Sequence, residues 1–162
     1  MRRNMGEKMI RIKPSATADT RTANGPVSKD ELYKSSAQHI VDVQMAMAFF
    51  AEKLRQAGIA HDNTKIGEID QFHKDFCMWQ KEGFDESSKW YDMHTKTERH
   101  HLNEHCPEDV TLIDVLERIA DICMAGMGRS GKVTPDELDA EILRKAYANT
   151  IKLLTEQIEV EK

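Results

Sequence analysis

The stretch His61-Asp62-Asn63-Thr64-Lys65 sets an imidazole beside a carboxylate, with a cation three residues on. One nitrogen and one oxygen donor side by side form the mixed set that manganese, iron, cobalt, nickel or zinc accepts, and magnesium is also admissible through the carboxylate. Two donors hold a divalent ion poorly, so distant partners are needed. The sequence offers His39 upstream and His94, the pair His100-His101 and Asp121 downstream. His39 and Asp121 would raise the set to three or four protein ligands and leave positions for water and substrate, as a catalytic metal requires. Asp121 is the only charged or polar side chain between Ile119 and Met127. A bare carboxylate buried in such a run is strongly destabilising, so a cation is expected against it, either a metal or a structural arginine. Three histidines between positions 94 and 101 pose the same demand, because each buried ring nitrogen needs a partner.

The order His, then His-Asp, then Asp resembles the HD-domain superfamily of metal-dependent phosphohydrolases. His61-Asp62-x-x-Lys65 is similar to the HD-x-x-K form of the cyclic-dinucleotide phosphodiesterases in that superfamily. His94-x5-His100-His101, followed by Asp121, resembles the later motifs with which binuclear members hold a second ion. The resemblance spans about residues 30 to 130. It departs from the cyclic-dinucleotide group after His100-His101, where Leu102-Asn103-Glu104-His105 stands instead of the Gly-Tyr-Pro signature. The compact spacing is also similar to that of small phage-encoded members.

The resemblance implies an all-α, HD-like helical bundle. It implies a first divalent ion on His39, His61, Asp62 and Asp121, with Asp62 bridging to a second ion on His94, His100 and His101 where one binds. The reaction implied is attack of a metal-activated water on a phosphate ester, most plausibly of a nucleotide or other small metabolite. Lys65, with Arg129 as a further candidate, would offset charge on the phosphoryl oxygens. Two other functions fit the same residues: a di-iron oxygenase of the superfamily, and a non-catalytic protein that holds a metal or a nucleotide.

Composition narrows the partners. With 162 residues the chain is long enough for one domain with its own core. Its 23 Lys and Arg against 28 Asp and Glu give a net charge of −5, a field that repels polyanions and disfavours duplex nucleic acid. A small phosphorylated substrate stays compatible, since a metal and a few local cations outweigh a modest distant charge. Cys77, Cys106 and Cys123 are odd in number and make no C-x-x-C pair, which points to free thiols in a reducing compartment. No apolar run has the length of a membrane span and the start lacks a signal-peptide core, so the cytoplasm is the expected location.

Periodicity supplies the elements that must position these groups. Residues 1 to 27 read as an arm, with Met9 to Lys13 alternating as a short strand, and with Arg21 able to reach a neighbouring site or subunit. Residues 28 to 162 read as the helical domain, of about five to six helices. Ser28-Lys29-Asp30-Glu31 is a capping box that opens a long helix carrying His39 on its apolar stripe, with a stop near Ala57-Gly58. A second helix is expected from Thr64 to about Lys81, with Lys65 in its first turn, and Glu68 and Asp70 as acceptors able to orient a ligand imidazole. Gly83 to Ser88 reads as a loop before a short helix through His94, and His73 and His105 read as surface or satisfied core residues. Cys106-Pro107-Glu108-Asp109 is expected to open the helix of Asp121, with Asp114 and Glu117 on the same stripe as further acceptors. Gly128 to Lys132 reads foremost as the C-terminal cap of that helix. Thr134-Pro135-Asp136-Glu137 reads as a second capping box opening a last helix as far as Ile158, which closes the bundle or pairs two subunits.

Overall fold

The computed structural model describes residues 9–15 and 25–161; Arg21 lies outside the described residues. Among these the fold is all-α: α1 (Lys29–Ala60), α2 (Asn63–Gly67), α3 (Ile69–Glu82), α4 (Lys89–Thr97), α5 (Leu112–Ser130) and α6 (Ala140–Thr155), with two three-residue strands, β1 (Ile10–Ile12) and β2 (Ile158–Val160). No described helix is long and apolar enough to cross a membrane. The chain divides into two compact units, one of residues 1–52 and 151–162 and one of residues 53–150.

In the first unit β1 pairs in parallel with β2, Ile10 opposite Ile158 and Ile12 opposite Val160. The last helix therefore ends at Thr155, short of the expected Ile158, because Ile158 to Val160 find a ladder partner at the other end of the chain. The capping box at the start of α1 forms as read: the Ser28 amide donates to Glu31 Oε2 at 2.9 Å, and the Glu31 amide donates to Ser28 Oγ at 3.3 Å. Gly58 does not stop the helix, which runs on to Ala60.

In the second unit the helix expected from Thr64 to Lys81 is two, α2 and α3, broken at Glu68 (φ −116°, ψ 34°). The break frees α2 to turn its short length toward α4. Aromatic packing joins α3 to α4: Trp90 stacks on Phe72 with ring centroids 3.9 Å apart, and Trp79 and Phe84 close around Tyr91. The aliphatic core is Leu102, Val110, Val115 and Ala146, with Cys106, Leu112, Leu138 and Ile142 packed against it.

Two expected helix starts are displaced. The helix of Asp121 begins at Leu112 rather than at Cys106-Pro107, since Thr111 and Asp114 form the cap: the Thr111 amide donates to Asp114 Oδ2 at 2.7 Å. The α5 N-terminus is satisfied further by Thr150 Oγ1, which accepts from the Leu112 amide at 2.8 Å. The last helix begins at Ala140, not at the Thr134-Pro135-Asp136-Glu137 box, because Asp136 is taken by Arg118 in a two-pronged pair at 2.8 and 2.9 Å. Gly131, at φ 68°, ends α5 in the left-handed turn expected of a glycine cap. The loop after it folds back so closely that a Cβ on Gly126 would lie 2.7 Å from the Lys132 carbonyl oxygen.

Candidate metal centre

The linker between α1 and α2 is two residues long, and it is His61-Asp62. Asp62 adopts φ 55°, ψ 22°, the only described non-glycine residue with positive φ. Aspartate and asparagine tolerate this left-handed region better than other side-chain-bearing residues, which is one reason the turn can carry a carboxylate. The turn sends the two side chains inward toward α4, the segment after it, and α5.

Two groups of donor atoms meet on the Asp62 carboxylate. On one side His61 Nε2 lies 3.4 Å from Asp62 Oδ2 and 3.6 Å from Asp121 Oδ1. On the other, Asp62 Oδ1 lies 3.5 Å from His94 Nε2 and 3.7 Å from His100 Nε2, while His94 Nε2 and His101 Nε2 are 2.9 Å apart. Metal bonds of about 2.0–2.2 Å place adjacent ligand atoms about 2.8–3.6 Å from one another, so the first set has the spacing of a coordination shell and the second comes close to it, with His100 slightly beyond. His61, Asp62 and Asp121 form one potential chelating group, Asp62, His100 and His101 another, and His61, His100 and Glu117 a third.

The hydrogen bonds behind the rings decide which nitrogen faces inward. Thr64 Oγ1 donates to Glu98 Oε1 at 2.7 Å, so its contact with His94 Nδ1, also 2.7 Å, must be one in which Nδ1–H donates. His94 Nε2 then presents a lone pair to Asp62 and His101. Glu117 acts alike on the other side, accepting from His61 Nδ1 at 2.9 Å and lying 3.2 Å from His100 Nδ1, off the axis of a full hydrogen bond. Carboxylates that hold Nδ1–H in this way orient an imidazole and strengthen Nε2 as a ligand. Buried Asp62 Oδ1 and both ring nitrogens of His100 have no hydrogen-bond partner. Orphaned polar atoms of this kind are costly, and a divalent cation among them satisfies carboxylate and imidazoles together. The donor set fits a metal.

Burial and neighbouring charges act on the ligands in different directions. Burial drives His94 down to about 4, reinforced by His101, and burial with the neighbouring His100 also lowers His101, so both favour the neutral ring. Burial pushes His100 down, but the Glu117 carboxylate reverses this and its net direction is up. Burial raises Asp62, yet Lys65, which ion-pairs with Oδ2, together with His61 and His94 brings it below the ordinary carboxylate range. Glu117 is likewise lowered by His100 and His61 against the effect of burial.

Two arginines pin the segment that carries His100 and His101. Arg99 grips Asp114 with two hydrogen bonds at 2.7 and 3.0 Å and reaches Asp109 at 3.0 Å. Arg118, itself held by Asp136, donates to the His100 carbonyl at 3.4 Å. The Asp114 carboxylate thus serves the cap and Arg99 instead of a histidine.

Of the residues singled out in the sequence, His61, Asp62, Lys65, His94, His100, His101 and Asp121 lie together in the second unit. Glu117 is the histidine-orienting acceptor, whereas Glu68 and Asp70 are exposed. Arg129 is exposed in the last turn of α5. His39 is exposed on α1 in the first unit, and none of the potential chelating groups among the described residues contains it. Asp121 is less enclosed than its apolar neighbours suggest: its side chain is 31 % exposed, and Ile119, Met124 and Met127 face outward. Thr64 and buried Glu98 were not singled out; their only trace in the sequence is that Glu98 follows His94 by one helical turn. His73 and His105 are exposed, as read.

Glu117→Gln removes the negative charge that serves both His61 and His100. Its expected effect is a 10- to 100-fold loss of metal affinity, about what loss of an orienting partner produces. The measurement is a metal titration followed by the emission of Trp90, whose ring stacks on His94 with centroids 4.4 Å apart. Unchanged affinity would remove Glu117 from its assigned role.

No protein-family model matches this chain, and no curated protein or solved structure is significantly similar to it.

Proposed function

We propose that this protein is an HD-type, metal-dependent phosphohydrolase acting on a nucleotide or other small phosphate ester. The observation that carries the reading is the Asp62 carboxylate, with His61 Nε2 beside Oδ2 and the Nε2 atoms of His94 and His100 beside a buried Oδ1 that, like both ring nitrogens of His100, has no hydrogen-bond partner. His61, Asp62 and Asp121 would hold one divalent ion, and Asp62, His94, His100 and His101 a second. A transition metal bound there supplies a water of near-neutral pKa as nucleophile and polarises a phosphoryl oxygen.

The protein's own groups do the rest. Glu117 and the Thr64–Glu98 pair hold the Nδ1 protons of His61 and His94, which leaves Nε2 of each neutral ring as the inward lone pair. Lys65, paired with Asp62 and 39 % exposed along its side chain, is assigned to the phosphoryl oxygens, with Arg129, exposed in the last turn of α5, as a further candidate. Lys65→Ala is expected to lower kcat/KM about 100-fold, equivalent to about 2.7 kcal/mol, with metal affinity changed far less. Arg129→Ala is expected to have an effect below about tenfold, in keeping with an exposed charge.

The deciding experiment is a screen of mono-, di-, tri- and cyclic nucleotides and simple phosphate esters against manganese, iron, cobalt, nickel, zinc and magnesium, with Asp62→Asn as the control. Hydrolysis that needs both the metal and Asp62 supports the reading. Metal binding without hydrolysis of any ester overturns it in favour of a binding protein. Oxygen consumption by anaerobically iron-loaded protein overturns it in favour of an oxygenase.

A further inference from the structure

Beside the histidine cluster the second unit has a cavity of about 270 Å³. One wall is the last part of α1, Leu54, Ala57 and Gly58; the facing wall is the α5 row Leu116, Ala120 and Met124, each one helical turn from the next. The polar lining consists of His61, Glu117 and Asp121, all members of the potential chelating groups. Cavity and metal centre are therefore continuous, and a molecule bound by the ligand cluster extends along the aliphatic walls.

We propose that this cavity is the leaving-group subsite, and that the substrate is a phosphate monoester of an alkyl or aryl alcohol. The proposal rests on the phosphohydrolase reading above and narrows its substrate. A dry cavity of about 150 Å³ holds benzene, so the space here suits a bicyclic ring or a chain of several carbons. A nucleobase of that size brings ring nitrogens and exocyclic groups that need hydrogen-bond partners. Besides His61, Glu117 and Asp121, which the reading above assigns to the ions and their histidines, no polar side chain lines these walls. The two acidic side chains also disfavour the further phosphates of a nucleoside di- or triphosphate. In the reaction water adds to phosphorus, the bond from phosphorus to the alcohol oxygen breaks, and the alcohol departs with a proton, leaving inorganic phosphate.

The test is a series of n-alkyl phosphates from methyl to octyl, with naphthyl phosphate and nucleoside monophosphates alongside, assayed with manganese. Each methylene that enters the cavity is expected to raise kcat/KM about fourfold until the space is full. Ala120→Phe narrows one wall and should lower the octyl-to-methyl ratio of kcat/KM at least tenfold. Gly58→Leu narrows the other, where an added Cβ meets nothing within 4 Å, and answers the question should Ala120→Phe not fold. A second readout needs no metal or turnover: alkanols of increasing length, added to metal-free protein, should shift the methyl NMR signals of Leu116 and Met124. A flat chain-length series, or nucleoside monophosphates preferred over octyl phosphate, overturns the subsite and leaves the phosphohydrolase reading standing. Chain-length-dependent alkanol shifts without hydrolysis of any ester overturn the phosphohydrolase reading and leave an apolar site.

Discussion

Replacing Asp62 by asparagine is expected to abolish the proposed hydrolysis and most metal binding while leaving the fold intact. Both donor groups share this carboxylate, so its loss removes a ligand from each at once. A fall in kcat/KM of at least about a thousandfold is expected, or about 4 kcal/mol of transition-state stabilisation. Three substitutions separate chemistry from backbone. Asparagine and glycine both tolerate the φ of 55° that the turn imposes, and glycine should be the more stable of the two at this position. Alanine does not tolerate it, and is expected to cost about 1–2 kcal/mol of stability in addition to activity. Parallel measurements of metal binding, turnover and thermal unfolding on all three should therefore show equal loss of function with unequal stability. Parental turnover in Asp62→Asn would mean that the reaction takes place elsewhere.

Saturating metal should raise the melting temperature, and a chelator should return it. A ligand present at 100 times its Kd and bound only by the native state stabilises by about 2.7 kcal/mol. For a chain of 162 residues this corresponds to a rise of about 5–11 °C. At a given metal concentration the rise should exceed that from a surface site, since relief of the orphaned Asp62 Oδ1 and of the unpaired ring of buried His100 tightens the Kd. It should vanish in Asp62→Asn. Differential scanning calorimetry with manganese, zinc and iron under anaerobic conditions checks this, and a melting temperature indifferent to all three would dismiss the metal centre.

What the sequence made legible was local. The Ser28–Glu31 box reads correctly because both partners lie within one turn. The gathering of His61, Asp62, His94, His100, His101 and Asp121 was signalled by so many metal-binding residue types that are hard to place otherwise, whereas His39, expected among them, lies in the first unit. The misreadings come from partners far along the chain. Thr134-Pro135-Asp136-Glu137 has every local mark of a helix start, yet Arg118 claims Asp136 across 18 residues. Ile158 continues a helical stripe, yet it pairs with Ile10. Cys106-Pro107 masked the better start at Thr111, where Thr-x-x-Asp was present in the sequence and went unused. Asp121 taught the converse: an apolar run in sequence is not an apolar environment when half of its members face water.

The carboxylate common to the two donor groups has a thermodynamic consequence. An ion held by His61 and Asp121 would draw electron density from Asp62 and would repel a second ion among His94, His100 and His101. Glu117, leaning on a ring from each group, extends the linkage. Loading should then proceed in two unequal steps, with stoichiometry set by the supply of free metal, so the protein's occupancy would register that supply over a wider range than independent sites could.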